Sequence, residues 1–397
     1  MARDIYGFGW HQNSAMKYGC AKSVRVSRRF EYNPEWFHSI NIVRKTLLIH
    51  ASNVRNKAAN ISMKFTPKNL LITGGVGFIG SNFINYVYNK WPSCRIINID
   101  KDDDKFGYSF DEERYVFIKN DIQNIKILTH ILHLYQIDAV IHFAAITHVD
   151  ESYANRIGTI TENIVSTSQL LEAVTIHYNG IERFVHISTD EVYGDSQENE
   201  DRKDEKSNLN PTNPYAASKA SCELILQAYS HSYKLPFVMV RMNNVYGPRQ
   251  QLSKLIPKFI NIAMKNGEYP LMGDGLHSRS WMFVDDCCEG IKRVMESGRL
   301  GEIYNLGTDF EISNYDVTIQ IHQLVSKLLN RDSTSANFCF IADRPYHDRR
   351  YLINFNKVET EMNWKCTTDF RDGLYKTIQY YINDYERIEK FAKLKQG

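Results

Sequence analysis

The chain has 397 residues, of which 43% are apolar and 24% charged, and a formal net charge of +2. This is length enough to bury one large or two moderate cores, with the composition of an ordinary globular protein. The small net charge argues against a polyanionic partner such as nucleic acid, and no stretch nears eighteen uninterrupted apolar residues, so no membrane span is expected.

The charge is unevenly spread. Before Met63 there are ten basic residues against Asp4, Glu31 and Glu35, so the remainder is net acidic. Residues 1–62 show no sustained helical or strand period, apart from a partly apolar run from Ile40 to Ala51. Three readings suit an Arg-rich, acid-poor leader: a transit peptide, a basic arm without a recognisable nucleic-acid module, or translation that begins at Met63. The third is favoured. Residues 1–66 are expected to be a disordered extension that the fold does not need. The seven cysteines are odd in number and form no Cys-x-x-Cys or His-Cys cluster. That spacing argues against a disulfide framework and a zinc site and points to a reducing compartment, the cytoplasm.

Asn69 to Thr73 reads as a strand buried on both faces, running directly into Gly74-Gly75-Val76-Gly77-Phe78-Ile79-Gly80 and a helix towards Lys90. Glycines at 74, 77 and 80 allow a tight turn, close approach of a pyrophosphate and close helix packing, while the helix start around Phe78 and Ile79 offers free N–H groups. A second strand, Arg95 to Ile99, ends in Asp100, twenty residues after Gly80. Its carboxylate is placed to bond ribose hydroxyls and would repel an added 2′-phosphate, so NAD is expected over NADP.

The alternation continues with a strand at Tyr115–Ile118, leading to Asp121 and Ile122 at the adenine end, and a helix from Ile125 to Tyr135. A strand from Ala139 to Phe143 ends in Ala144 and Ala145, small enough for a cofactor to pass. His142 and His148 have no third ligand close in sequence and are read as packing or hydrogen-bonded histidines, so no metal is expected. A long helix, Asn155–Tyr178, precedes the strand Arg183–Ser188, and a helix Tyr215–Tyr233 precedes the strand Phe237–Met242. The series predicts an α/β fold, a Rossmann-type doubly wound parallel sheet over residues 67–245 that also carries the catalytic groups. Residues 246–397, punctuated by Pro, Gly and Arg, are expected to form mainly a smaller α/β substrate-binding domain.

Two stretches carry the chemistry. Thr189, Asp190 and Glu191 follow the strand at Arg183–Ser188, and Tyr215 and Lys219 lie one helical turn apart behind the Asn213-Pro214 start signal. Tyr and Lys four apart are common on helices, and acids at a strand exit are often merely solvated. Together, downstream of a glycine loop, they suggest a phenol base made more acidic by Lys219 beside a carboxylate acid and base.

From about Asn69 to Tyr381 the chain resembles the extended short-chain dehydrogenase/reductases, and among them the dTDP-glucose 4,6-dehydratases. The shared motifs are Thr-Gly-Gly-x-Gly-Phe-Ile-Gly at 73–80, His-Phe-Ala-Ala at 142–145, His-Val-Asp at 148–150 and Ser-Thr-Asp-Glu-Val-Tyr-Gly at 188–194. Tyr-Ala-Ala-Ser-Lys at 215–219, Arg-Met-Asn-Asn-Val-Tyr-Gly-Pro at 241–248 and Asp-Arg-Pro-Tyr-His-Asp-Arg-Arg-Tyr at 343–351 complete them. The resemblance implies a lyase that oxidises a nucleoside diphosphate glucose (dTDP- or UDP-glucose) at C4, eliminates water across C5–C6 and returns hydride to C6. It implies Thr189, Asp190, Glu191, Tyr215 and Lys219 as catalytic residues, and Thr189, Asn244, Lys254, Arg279, Arg344 and His347 as substrate contacts. A homodimer built from the helices at 155–178 and 215–233 is also implied, and apolar residues on more than one face of each agree with it. Ile146, Ser253, Met272 and Ser280 depart from the bacterial pattern and leave the choice between thymine and uracil open. The alternatives are a UDP-sugar 4,6-dehydratase, an epimerase or a decarboxylase of the same family, and a non-catalytic NAD-binding module. Asp190 separates the first from the rest, because only elimination has a hydroxyl to protonate.

Overall fold

The computed structural model describes residues 64–103, 110–197, 200–332 and 335–385. The basic leader, with its Ile40–Ala51 run and Met63, lies outside them. In the described chain β1 (Asn69–Thr73), α1 (Phe78–Tyr88), β2 (Arg95–Asp100), β3 (Tyr115–Lys119), α2 (Ile125–Leu134), β4 (Ala139–His142), α3 (Val149–Ala154), α4 (Arg156–Thr175), β5 (Arg183–Ile187), α5 (Pro214–Tyr233) and β6 (Phe237–Met242) follow one another. Residues 155–178, read as one helix, hold an α4 that ends at Thr175. Its start is fixed by Asn155, whose side chain accepts from Gly158 N at 3.1 Å.

The second half adds β7 (Asn244–Tyr246), α6 (Leu255–Met264), β8 (Tyr269–Met272), β9 (Ser278–Phe283), α7 (Val284–Ser297), β10 (Ile303–Leu306), β11 (Glu311–Ser313), α8 (Asn314–Leu328), β12 (Phe338–Ile341), α9 (Asn356–Met362) and α10 (Phe370–Asn383). Seven strands make one parallel sheet in the order β10-β6-β5-β4-β1-β2-β3. That is a doubly wound sheet whose order reverses between β1 and β4, the place where such folds bind ligands beyond the strand ends. Period-2 alternation divides its two cores. Leu70, Ile72, Ile141 and Val185 face α1 and α7, whereas Leu71, Val140, Phe184 and Met239 face α2, α4 and α5.

The boundary expected at 245/246 is crossed. β10 pairs with β6 in parallel, Ile303 beside Met239 and Leu306 beside Met242, so the chain leaves the main sheet after β6 and returns to it. The side chains of β6 are buried throughout, and an apolar strand of that kind needs a neighbour on each edge. The excursion supplies β7, β8 and β9, and the chain after β10 completes two small sheets with them, β11-β9-β7 and β12-β8.

Candidate active site

The glycine loop closes tightly on itself. Gly74 has φ +73°, and a Cβ there would lie 2.6 Å from Ala144 N, so only glycine fits. The start of α1 has no side-chain cap and no acid in its first turn, which leaves its N–H groups and the positive end of its dipole for a phosphate. Asp100 stands beside the loop, accepting from Val76 N at 2.9 Å and Asp102 N at 3.1 Å. Asp121 and Ile122 line the same end of the cleft, and Ala144 and Ala145 its wall. The cradle suits a dinucleotide whose pyrophosphate sits on the α1 terminus.

Past Ile187 the chain turns sharply. Thr189 caps a single 3₁₀ turn, Asp190–Tyr193, and Gly194, at φ +77°, closes it where a Cβ would lie 2.2 Å from Asn210 O. The turn holds both carboxylates against the start of α5, where Asn213 caps Ala216 N at 2.8 Å and also donates to Glu191 Oε2 at 3.0 Å. Asn243 donates to Asp190 Oδ2 at 2.7 Å, and the Thr189 hydroxyl donates to Asp190 Oδ1 at 3.2 Å. Sequence reading assigned Asn213 only as a cap and Asn243 nothing; partners so distant in sequence leave no local signal.

Burial raises the Asp190 carboxyl to about 7, although the Asn243 and Thr189 hydrogen bonds favour its ionised form. Burial also raises Glu191, against the bond from Asn213 and the charge of Arg279. Asp190 therefore stabilises the fold fully only below its ordinary value of 3.8 and loses that contribution as pH rises to about 7. Asp190→Asn is expected to melt higher than the parent by a margin that grows between these limits, approaching about 4 kcal/mol, and is constant above. Thermal melts from pH 4 to 8.5 check this, and a margin independent of pH would refute it.

One expectation needs correction. Lys219 does not make the Tyr215 phenol more acidic; the phenol is held well above its usual range by burial, then by Glu191 and Asp190, with Thr189 hydrogen-bonded to it. The cause is orientation, since Lys219 Nζ donates to Ile187 O at 2.6 Å, and burial lowers its own pKa.

Every residue anticipated from the sequence lines one cavity of about 490 Å³. On its far side Lys254 donates to Thr147 O at 2.7 Å, burial holding its ammonium down to about 8. Arg344 Nε donates to Asp150 Oδ1 at 2.7 Å, and Arg279 lies with its guanidinium 4.8 Å from the centre of the Tyr351 ring. Asn244 opens β7 on the cavity floor. His347 hydrogen-bonds Asp343 at 2.6 Å and stacks on His277 with centroids 3.6 Å apart.

His277, Asp343 and His347 bring three potential metal-ligand atoms within 4.8 Å of one another, a trio invisible to local spacing. Burial first, then the charges of Arg279 and Arg344, hold the His347 imidazolium down to about 4, against the hydrogen bond to Asp343. Arg279 and Arg344 bring fixed positive charge to this side of the cavity, partly balanced by Asp343.

A doubly wound sheet, a glycine-loop cradle and a Tyr-x-x-x-Lys helix over one cleft define an extended short-chain dehydrogenase/reductase. The chain belongs to the GDP-mannose 4,6 dehydratase family, whose model matches residues 71–377. It is 40% identical over 328 residues to a trifunctional UDP-glucose 4,6-dehydratase/3,5-epimerase/reductase of Arabidopsis thaliana, covering 81% of this chain and 48% of that protein. The chain thus spans about half the length of the first curated relatives it matches. With the human dTDP-D-glucose 4,6-dehydratase it shares 37% identity over 332 residues, 81% of this chain and 93% of that one. A dTDP-glucose 4,6-dehydratase from Streptomyces venezuelae, solved with NAD and TYD bound, superposes with a TM-score of 0.70 at 36% identity, over 80% of this chain and 98% of that one.

Proposed function

We propose that the protein is an NAD-dependent 4,6-dehydratase of nucleoside diphosphate glucose, with a thymine or uracil base. The observation that carries this is the pair of carboxylates, buried Asp190 and half-buried Glu191, held on one turn beside the Tyr215 phenol. An epimerase or a decarboxylase has no use for an acid kept protonated near neutral pH at that place; elimination of water does.

NAD, when bound, supplies a reversible hydride store and, in its oxidised form, a positive charge that favours a phenolate. Gly74, Gly77, Phe78, Ile79 and Gly80 would hold its pyrophosphate, Asp100 the ribose, Asp121 and Ile122 the adenine, and Ala144 and Ala145 the passing chain. Tyr215 takes the C4 hydroxyl proton, with Thr189 bonded to the same oxygen and Lys219 holding the helix and ribose side. Neutral Asp190 eases that ionisation by removing one of the charges that oppose the phenolate. The 4-keto group then acidifies C5–H, Glu191 takes that proton, and Asp190 gives its own to the departing C6 hydroxyl. Lys254, Arg279 and Arg344 provide cations for the diphosphate, with Asn244 and His347 as polar contacts.

The test is incubation with dTDP-glucose and with UDP-glucose, followed by mass detection. The expected product has lost one water without net accumulation of NADH; a C4 epimer of unchanged mass, or stoichiometric NADH, overturns the assignment. Because Asp190 must be protonated, turnover is expected to fall as pH rises through about 7, and Asp190→Asn to lose that limb with most of its activity.

The working unit is a homodimer through α4 and α5. Leu170, Leu171, Val174 and Leu226 are spent on the sheet core, yet Ile157 and Leu224 remain 76% and 58% exposed. Sedimentation is expected at twice the 46.2 kDa chain mass. Full activity at the monomer mass would dismiss the dimer. The cysteines of the described residues are free, and none of the described helices is long and apolar enough to cross a membrane. Free thiols support a cytoplasmic setting.

A further inference from the structure

Tyr215 and Lys219 lie four residues apart on α5, and the next residue at that spacing is Glu223. Glu223 is fully buried, as is its partner Arg241 on β6, and neither lines the cavity. Arg241 Nε and Nη2 donate to the carboxylate at 3.0 and 2.6 Å, a two-pronged contact. Ser188 Oγ donates to the same carboxylate at 2.5 Å. Arg241 Nη1 donates to the Tyr193 hydroxyl at 2.8 Å, and that hydroxyl donates in turn to Asn305 Oδ1 at 2.9 Å.

Ser188 and Tyr193 bracket the segment that contains Thr189, Asp190 and Glu191. The ion pair therefore grips both ends of the carboxylate-bearing turn from the helix that carries the phenol. As a source of stability such a pair is poor, because desolvation offsets its attraction and apolar residues of similar volume serve as well. What it supplies is direction, since a planar fork accepts few geometries.

We propose that Glu223 and Arg241 are positioning residues, which fix the Thr189–Val192 turn against the Tyr215 helix so that both proton-transfer systems meet one substrate. This rests on the dehydratase reading above. The test is the volume-conserving double variant Glu223→Met/Arg241→Met, which leaves no buried charge unpaired. It is expected to melt cooperatively near the parent and to bind NAD and substrate within about threefold, while kcat falls about 10²-fold, the cost of a displacement of order 1 Å. Amide hydrogen exchange is expected to quicken at residues 189–194 and to stay slow in β5 and β6. Tyr193→Phe, which cuts one link and keeps the ion pair, is expected to show the same pattern more weakly, and it decides the matter if the double variant does not fold. Unchanged exchange at 189–194, or turnover within about threefold of the parent, overturns the proposal. If the parent removes no water from either sugar nucleotide, the dehydratase reading has failed, and the exchange measurement still decides whether the pair holds the turn.

Discussion

Glu191→Gln is expected to lower turnover of the sugar nucleotide by about 10²–10⁴-fold, the usual worth of a positioned general base. Gln keeps an oxygen to accept from Asn213 Nδ2, now 3.0 Å from Glu191 Oε2, so the turn retains its support. Melting should be equal or slightly higher, since a half-buried group whose pKa burial raises has been replaced by a neutral one. Oxidation at C4 does not need this carboxylate, so reduced nicotinamide should build up on the enzyme, and exchange of the C5 proton with solvent should stop. Turnover within tenfold of the parent, or undiminished C5 exchange, would remove Glu191 from the role of base.

Tyr215→Phe is expected to cost a similar factor at a different step. The phenol is deeply buried and hydrogen-bonded to Thr189, and Phe fills its volume while deleting the one group placed to take the C4 proton. No reduced nicotinamide should appear with this variant, at any pH. Single-turnover absorbance separates the two cases: signal that accumulates in Glu191→Gln and is absent in Tyr215→Phe. Accumulation in both would mean that another base opens the reaction.

Much of this site was legible because its evidence is local. Gly74 to Gly80 lie within one turn and one helix start, Asp190 and Glu191 are neighbours, and Tyr215 and Lys219 are a helical turn apart. Alternating strands and helices likewise announce a doubly wound sheet. What sequence could not supply was depth and direction. Lys219 at the fourth position beyond Tyr215 suggested a more acidic phenol, but the pattern says nothing of where Nζ points, and it points to Ile187 O. Asn243, Glu223 and Arg241 act on the catalytic turn from 35 to 53 positions away, so no window of sequence pairs them with it. Phe237–Met242 was recognisable as a strand, whereas its pairing with β10 was not, because pairing in parallel sheets is set by packing between distant segments.

That late return of β10 has a consequence during synthesis. β6 ends at Met242 and its neighbour begins only at Ile303, about sixty residues later. At roughly 5–20 residues per second, the edge of Phe237–Met242 stays unpaired on the ribosome for several seconds. An apolar edge of that kind invites pairing with other chains, and nascent protein should be most prone to aggregation in this interval. Once β10 docks, its own outer edge is sealed by side chains, with Asn305 N donating to Glu205 Oε1 at 2.9 Å and Lys357 Nζ to Ile303 O at 2.5 Å. Chains released before Leu306 would lack that seal and are expected to be recovered in the insoluble fraction.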